Sequence, residues 1–323
     1  MKQLKRYTII LILLGLIGLF SVLSPYFFTQ QNLTNIFVQQ SYVIIAAVGL
    51  SFVMISGGMD LSIGYLISAV GVTTAVLVRW VGLSFPASLA IGMAMGTCLG
   101  AFNGWASVLL KVPTLIVTLG TMTIFQGLSY IISKQSVILN LPPAYKFFGQ
   151  GYLFDVIPFS VVLMVVCVGV GSFILNFTRF GRRIYGVGSN EEAARLSGVN
   201  VNAIRMLVFS LCGFFVALSA IVLFGRSGSA SSSTGPGVEF TAMTAAILGG
   251  VSFKGGEGKM WGLVTGVLIL GVLSNGMQLV GLNTYVQYIV KGFVLLFAVG
   301  FDVFQKQGLA KGLLRHAPAK KAA

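Results

Sequence analysis

Residues Ser41–Gly64 read SYVIIAAVGLSFVMISGGMDLSIG. An uncharged, largely apolar run over 41–56 meets Gly57-Gly58, then a lone acid at Asp60, then a second apolar run that opens at Ile63. A helix crossing the ~30 Å hydrocarbon core of a bilayer needs about 20 apolar residues. On that measure 41–56 is a marginal span and 63–82 a full one. The short run over 239–253 also contains a glycine pair, Gly249-Gly250. Short, glycine-interrupted segments in membranes mark broken helices that line a pathway; glycine pairs also serve simply to let helices pack closely. Asp60 has two readings as well. A carboxylate near membrane depth is costly and points to function, whereas as a cap it would accept a hydrogen bond from the first turn of the helix that follows. The capping role is the one favoured.

Outward from this stretch the apolar runs recur along almost the whole chain. Spans are expected near 7–23, 41–56, 63–82, 85–109, 113–133, 157–177, 206–224, 239–253, 260–280 and 285–304. Of the 323 residues only 9% are charged and 56% are hydrophobic, where a soluble domain carries about 25% charged residues. Mean hydropathy is +0.93. These values exclude a disordered chain, a soluble Rossmann or barrel enzyme, a fibrous protein and a single-pass anchor. The first run follows Lys2, Lys5 and Arg6 but ends without a small-residue cleavage site, so it reads as an uncleaved signal-anchor.

Ten spans with both termini in the cytoplasm place 16 of the 21 basic residues inside: Lys2, Lys5, Arg6, Lys111, Arg179, Arg182, Arg183, Arg195, Arg205, Lys254, Lys259, Lys306, Lys311, Arg315, Lys320 and Lys321. Only Arg79, Lys134, Lys146 and Arg226 fall outside, and Lys291 lies within the last span. That bias satisfies the positive-inside rule. The fold expected is therefore an all-α membrane protein of about ten transmembrane helices. Its two sets of five would be related as an inverted repeat, because five is odd. A single transmembrane domain covers 1–305, includes a cytoplasmic loop over 178–205, and precedes a basic tail over 306–323. The Ser/Gly-rich stretch Ser227–Gly237 reads as a flexible external loop.

The net charge of +14 does not indicate a nucleic-acid partner, since the basic residues sit at span ends rather than in one stripe. Cys98, Cys167 and Cys212 lie far apart in apolar runs and the only histidine, His316, is in the tail, so neither a metal nor a hydrolase site is expected. Buried acids for ion or proton coupling are nearly absent. Gly255-Gly256-Glu257-Gly258-Lys259-Met260 lacks the spacing and hydroxyl of a phosphate loop, so no cofactor is expected in this chain. Uphill transport would draw its energy from another chain. Glu239 opens the eighth span, where a carboxylate favours a helix N-terminus.

The longest cytoplasmic loop supplies the sharpest local feature. Ser189 and Glu192 have capping-box spacing, Ala193, Ala194 and Leu196 favour helix, and Gly198 is a stop. A helix of about two turns over 190–197 is expected at the cytoplasmic face, with the two alanines free to fit a partner's groove. The plainer reading is a surface helix that ties two spans together.

Glu192-Ala193-Ala194, followed after three residues by Gly198, resembles the coupling-loop signature of ATP-binding-cassette importer permeases. Gly57-Gly58-Met59-Asp60-Leu61-Ser62-Ile63-Gly64, Lys111-Val112-Pro113-Thr114-Leu115-Ile116-Val117-Thr118-Leu119-Gly120, the loop from Thr178 to Val201 and Ala245-Ala246-Ile247-Leu248-Gly249-Gly250 are all similar to motifs of the ribose/xylose/arabinose-type permeases. The similarity runs from about residue 20 to 305. Ser189, Lys254 and Glu257 depart from residues common in that family. The resemblance implies a non-catalytic, multi-pass subunit of a bacterial inner membrane, paired as a homodimer. Two ATPase subunits, which bind ATP and Mg, would dock on a coupling helix carrying Asn190, Glu191, Glu192, Ala193, Ala194 and Gly198. A periplasmic binding protein would deliver a ribose-like monosaccharide. Gly57, Gly58, Asp60, Ser62, Thr118, Gly249 and Gly250 are the residues assigned to the pathway or its structural motifs. The alternatives are a same-superfamily permease for a furanose-type signal, a nucleoside or a branched-chain amino acid. A stand-alone secondary transporter or a structural membrane protein is a more distant reading.

Overall fold

A computed structural model describes residues 2–315, with side-chain surroundings given for 9–300. Apolar helices occupy every stretch expected to span: α1 (Lys2–Leu23), α2 (Gln30–Ile55), α3 (Ile63–Arg79), α4 (Phe85–Leu110), α5 (Thr114–Ser133), α7 (Phe159–Phe177), α10 (Val201–Ser227), α11 (Val238–Leu248), α12 (Met260–Leu279) and α13 (Thr284–Arg315). Between them lie α6 (Pro143–Gln150), a small hairpin of β1 (Tyr152–Leu153) and β2 (Ile157–Pro158), and two consecutive helices, α8 (Arg179–Ser189) and α9 (Glu191–Leu196). Among the described residues six helices, α2, α4, α5, α7, α10 and α12, are long and apolar enough to cross a membrane. The apolar parts of α1, α3, α11 and α13 are shorter. The basic tail is helical as far as Arg315, while His316, Lys320 and Lys321 lie outside the described residues.

The core is built on α2 and α10, whose apolar windows are each 72% buried, against 22–28% for α4, α5 and α7. α2 begins at Gln30 rather than near 41, with Thr29 capping Asn32. The polar residues that hid its first turns are helix–helix contacts: Asn32 and Asn275 of α12 exchange two amide hydrogen bonds of 2.9 Å, the kind of interhelical bond that membrane helices use. α10 lies along α4, where Gly92, Gly96, Gly100 and Gly104 recur every fourth residue and are all buried. A Cβ on Gly96, Gly100 or Gly104 would press on the α10 backbone at Gly213, Phe209 or Met206, so these three let the two backbones approach, while Gly92 faces Thr74 of α3.

Ser227–Gly237 is not a free external loop. Ala230 pairs with Ile138, the Ser232 hydroxyl donates to the Ser129 carbonyl at 2.9 Å, and the Gly235 amide donates to Ser68 Oγ at 3.1 Å. Its serines read as solvated, yet two of these bonds are made by buried groups, and Ser232 is only 4% exposed. The segment delivers α11 into the interior, where Glu239 accepts the Gly237 amide with both carboxylate oxygens at 3.0 Å, as expected for an acid at a helix start.

Candidate docking surface and buried motif

Two glycine pairs end helices by one device. After Ile55 the chain turns at Gly57 (φ 86°); the Gly57 amide donates to Met54 O at 3.0 Å and the Gly58 amide to Val53 O at 2.9 Å. This is the double bond of a Schellman stop, and it needs the left-handed residue that glycine supplies. At the end of α11 the Gly250 amide donates to Ile247 O at 2.9 Å and that of Val251 to Ala246 O at 2.8 Å. Gly249 packs on Gly262 of α12, so the second pair is not brought into the Gly57–Ser62 motif.

Between α2 and α3 the backbone is not helical, and its polar groups are met by α5. Thr114 and Thr118 lie one turn apart on α5; Thr114 Oγ1 accepts the Met59 amide at 2.9 Å and Thr118 Oγ1 the Leu61 amide at 3.3 Å. The two motifs quoted from the sequence thus fold onto one another. Asp60, 2% exposed, accepts both the Ser62 amide at 2.9 Å and the Ser62 hydroxyl at 2.6 Å through Oδ1. It therefore caps the residue before α3 rather than the first turn of α3, because Ser62 itself occupies the N-cap position. Asn103 of α4 donates to Ser62 Oγ at 2.8 Å. Asp60 Oδ2 and Asn103 Oδ1 are buried without a hydrogen-bond partner.

The long loop holds two helices where one was expected. α8 passed unread because Gly181, Gly186 and Gly188 lower helix propensity. The cap of α9 is Asn190, whose Oδ1 accepts the Ala193 amide at 2.9 Å. The expected Ser189–Glu192 box does not form: Ser189 ends α8 and donates back to Tyr185 O at 2.8 Å. α9 stops where the sequence says, with Gly198 at φ 80° and bonds of 3.0 Å from the Gly198 amide to Arg195 O and from the Val199 amide to Ala194 O. Ala194 faces inward, 8% exposed, while Leu196 is 84% exposed. The outward face of α9 is thus Glu192, Ala193 and Leu196 rather than both alanines.

The pair α8–α9 is tied to the two core helices. Glu191 pairs with Arg195 at 3.0 Å and with Arg205 of α10 at 2.9 Å. Gly188 lies against the Ile55 carbonyl at the end of α2, and the Gly256 amide donates to that same carbonyl at 2.8 Å. The Tyr185 hydroxyl donates to Gly258 O at 2.7 Å, and burial raises the phenol's pKa, keeping it a donor. Tyr185, Gly188, Arg205, Thr114 and Asn103 were not singled out from the sequence. Their only signals were a glycine inside a helical stretch and a threonine pair at helical spacing.

A cleft of about 520 Å³ lies beside α8–α9, lined by Arg179, Arg182, Arg183, Asn190, Ala193 and Ser197 among others. A second of about 600 Å³ runs between Gly57-Gly58, Lys111–Thr114, Glu191, Arg195 and Arg205. The arrangement is a small projecting helix between two clefts, joined by backbone contact and an ion pair to the most buried helices. No grouping of residues suited to holding a metal occurs among the described residues.

Residues 32–299 match the family model described as branched-chain amino acid transport system / permease component. The ribose import permease protein RbsC of Escherichia coli is 38% identical over 294 residues, covering 90% of this chain and 91% of that protein. The xylose transport system permease protein XylH of Haemophilus influenzae is 30% identical, with 94% and 98% covered. The L-arabinose transport system permease protein AraH of Escherichia coli is 36% identical, with 89% and 87% covered. No solved structure matches the chain.

Proposed function

Because the chain belongs to the branched-chain amino acid transport system / permease component family, we propose that it is the membrane subunit of an ATP-driven importer of a ribose-like monosaccharide. It is a multi-pass permease of the ribose, xylose and arabinose type and does no covalent chemistry itself. In this reading ten helices cross the inner membrane with both termini in the cytoplasm, in two inverted sets of five. Two copies pair, a periplasmic binding protein delivers the sugar, and ATPase subunits holding ATP and Mg dock on α9.

The observation that carries the reading is the junction of α8 with Ile55 and Gly256, together with the Glu191–Arg205 pair. A push on α9 reaches α2 and α10 directly. Gly57 and Gly58, where the broken stretch begins, line the second cleft together with Pro113 and Thr114, where movement of α2 would open or close it.

The test is reconstitution of the permease with its ATPase and binding protein in proteoliposomes. Uptake of labelled ribose, xylose and arabinose is measured with and without ATP. ATP-dependent uptake of one of them supports the reading; uptake by the permease alone refutes it. The family description favours one second reading, a branched-chain amino acid as cargo, which labelled leucine tests in the same assay.

A further inference from the structure

The β1–β2 hairpin stands at the end of α7 opposite α8. Both central residues of its 153–156 turn, Phe154 (φ 53°) and Asp155 (φ 57°), are left-handed, as in a type I′ turn, whose central positions favour Asn and Gly. A bulky aromatic in that conformation is unfavourable, and no contact within the chain compensates it, because Phe154 is 92% exposed. Val156 (74%), Tyr152 (50%) and Ile157 (48%) are exposed beside it. The turn is not loosely held. The Phe159 amide donates to Gly151 O at 2.8 Å, and the Phe159 ring packs against Phe147 and Phe148 with centroids 4.8 and 5.2 Å away.

What covers these side chains follows from α7. Its 19 residues span about 28 Å at 1.5 Å each, close to the thickness of the hydrocarbon core. Its exposed Val165, Val166, Val170 and Phe173 form an apolar surface that leads toward the hairpin. A helix of that length sets the hairpin at the boundary between headgroups and acyl chains, where aromatic residues concentrate. Between Phe147 and Thr178 there is no Lys or Arg and the only acid is Asp155, so little charge opposes insertion.

We propose that the 152–157 hairpin is an interfacial anchor. The Phe154 turn and Val156 enter the lipid boundary on the face opposite α8–α9 and fix the depth of α7. Because α7 leads straight into α8, the anchor gives the docking segment a fixed reference against the bilayer.

The test uses the full chain in lipid nanodiscs, with Cys98, Cys167 and Cys212 replaced by Ala. A nitroxide is placed through Phe154→Cys, Val156→Cys or, as an aqueous reference on the same face, Ser227→Cys. Collision with oxygen relative to a water-soluble nickel chelate should be clearly higher at 154 and 156 than at 227, since an apolar solute such as oxygen concentrates in apolar surroundings. A ratio equal to that at 227 overturns the proposal, and so does exclusion of both reagents, which would mean a protein partner. Phe154→Gly keeps the left-handed turn without the ring. With it, the ratio at 156 should fall to that at 227; an unchanged ratio refutes the anchoring role of Phe154.

Discussion

Gly188→Ala tests whether α8–α9 drives α2 through the backbone junction. A Cβ there would run into the Ile55 carbonyl oxygen and stand 2.6 Å from the Gly256 nitrogen, the two groups that bond each other at 2.8 Å. Both are backbone atoms, so neither can rotate away. Losing that hydrogen bond costs about 1 kcal/mol, and the crowding about 1–3 kcal/mol more. A total of about 2–4 kcal/mol leaves most proteins folded, but at 1.4 kcal/mol per tenfold it shifts a local junction toward its open form by about 30- to 700-fold. The exposed face of α9 is untouched. In co-expressed complexes the ATPase should therefore co-purify within about twofold of wild type, while substrate-stimulated ATP hydrolysis and uptake fall by about tenfold or more. Wild-type uptake at normal membrane abundance would show that the junction is not the transmission route. Loss of ATPase binding would show that Gly188 shapes the docking surface itself.

Other outcomes follow from the same geometry. Asp60→Asn keeps an acceptor for the Ser62 amide and hydroxyl and should retain folded yield and much of the transport. Asp60→Leu strands them at a cost of about 1–3 kcal/mol and should lower the amount of monodisperse protein; loss of uptake in Asp60→Asn at normal abundance would make the charge itself functional. Leu196→Glu, on the exposed face of α9, should leave thermal stability within about 0.5 kcal/mol, as is usual for surface changes, yet reduce ATPase co-purification; unchanged co-purification would remove α9 from the interface. In intact cells a membrane-impermeant thiol reagent should label Ser227→Cys and not Leu196→Cys in a cysteine-free background, and labelling at 196 would overturn the orientation.

Much of the fold was legible because hydrophobic runs and glycine stops are local signals. Helices lie on every expected stretch, although among the described residues only six are long and apolar enough to span a bilayer by that measure. What was misread was polar sequence that does its work inside the protein. Gln30–Gln40 looks like a loop, but Asn32 faces Asn275 across a helix pair and Gln40 covers Gly271. Ser227–Gly237 has a linker's composition, but Ser232 is bonded to α5. A polar residue reads as solvated until its partner is known, and these partners lie about a hundred or more residues away in the chain.

The candidate site divides along the same line. Stops at Gly57, Gly198 and Gly250 could be read because a left-handed turn is a property of one residue and its near neighbours. The junction could not, because Gly188 looks in sequence like a defect in a weak helix and gains its meaning only from Ile55 and Gly256. The lack of a side chain that weakens α8 is what admits the Ile55 carbonyl. The same glycine count that obscured α8 therefore locates the contact: across α8, α9 and its stop, Gly181 and Gly188 meet backbone, whereas a Cβ at Gly186 or Gly198 would meet nothing within 4 Å. Substitution at Gly186 should accordingly be tolerated where substitution at Gly188 is not, a contrast that separates close packing from helix propensity as the reason for these glycines.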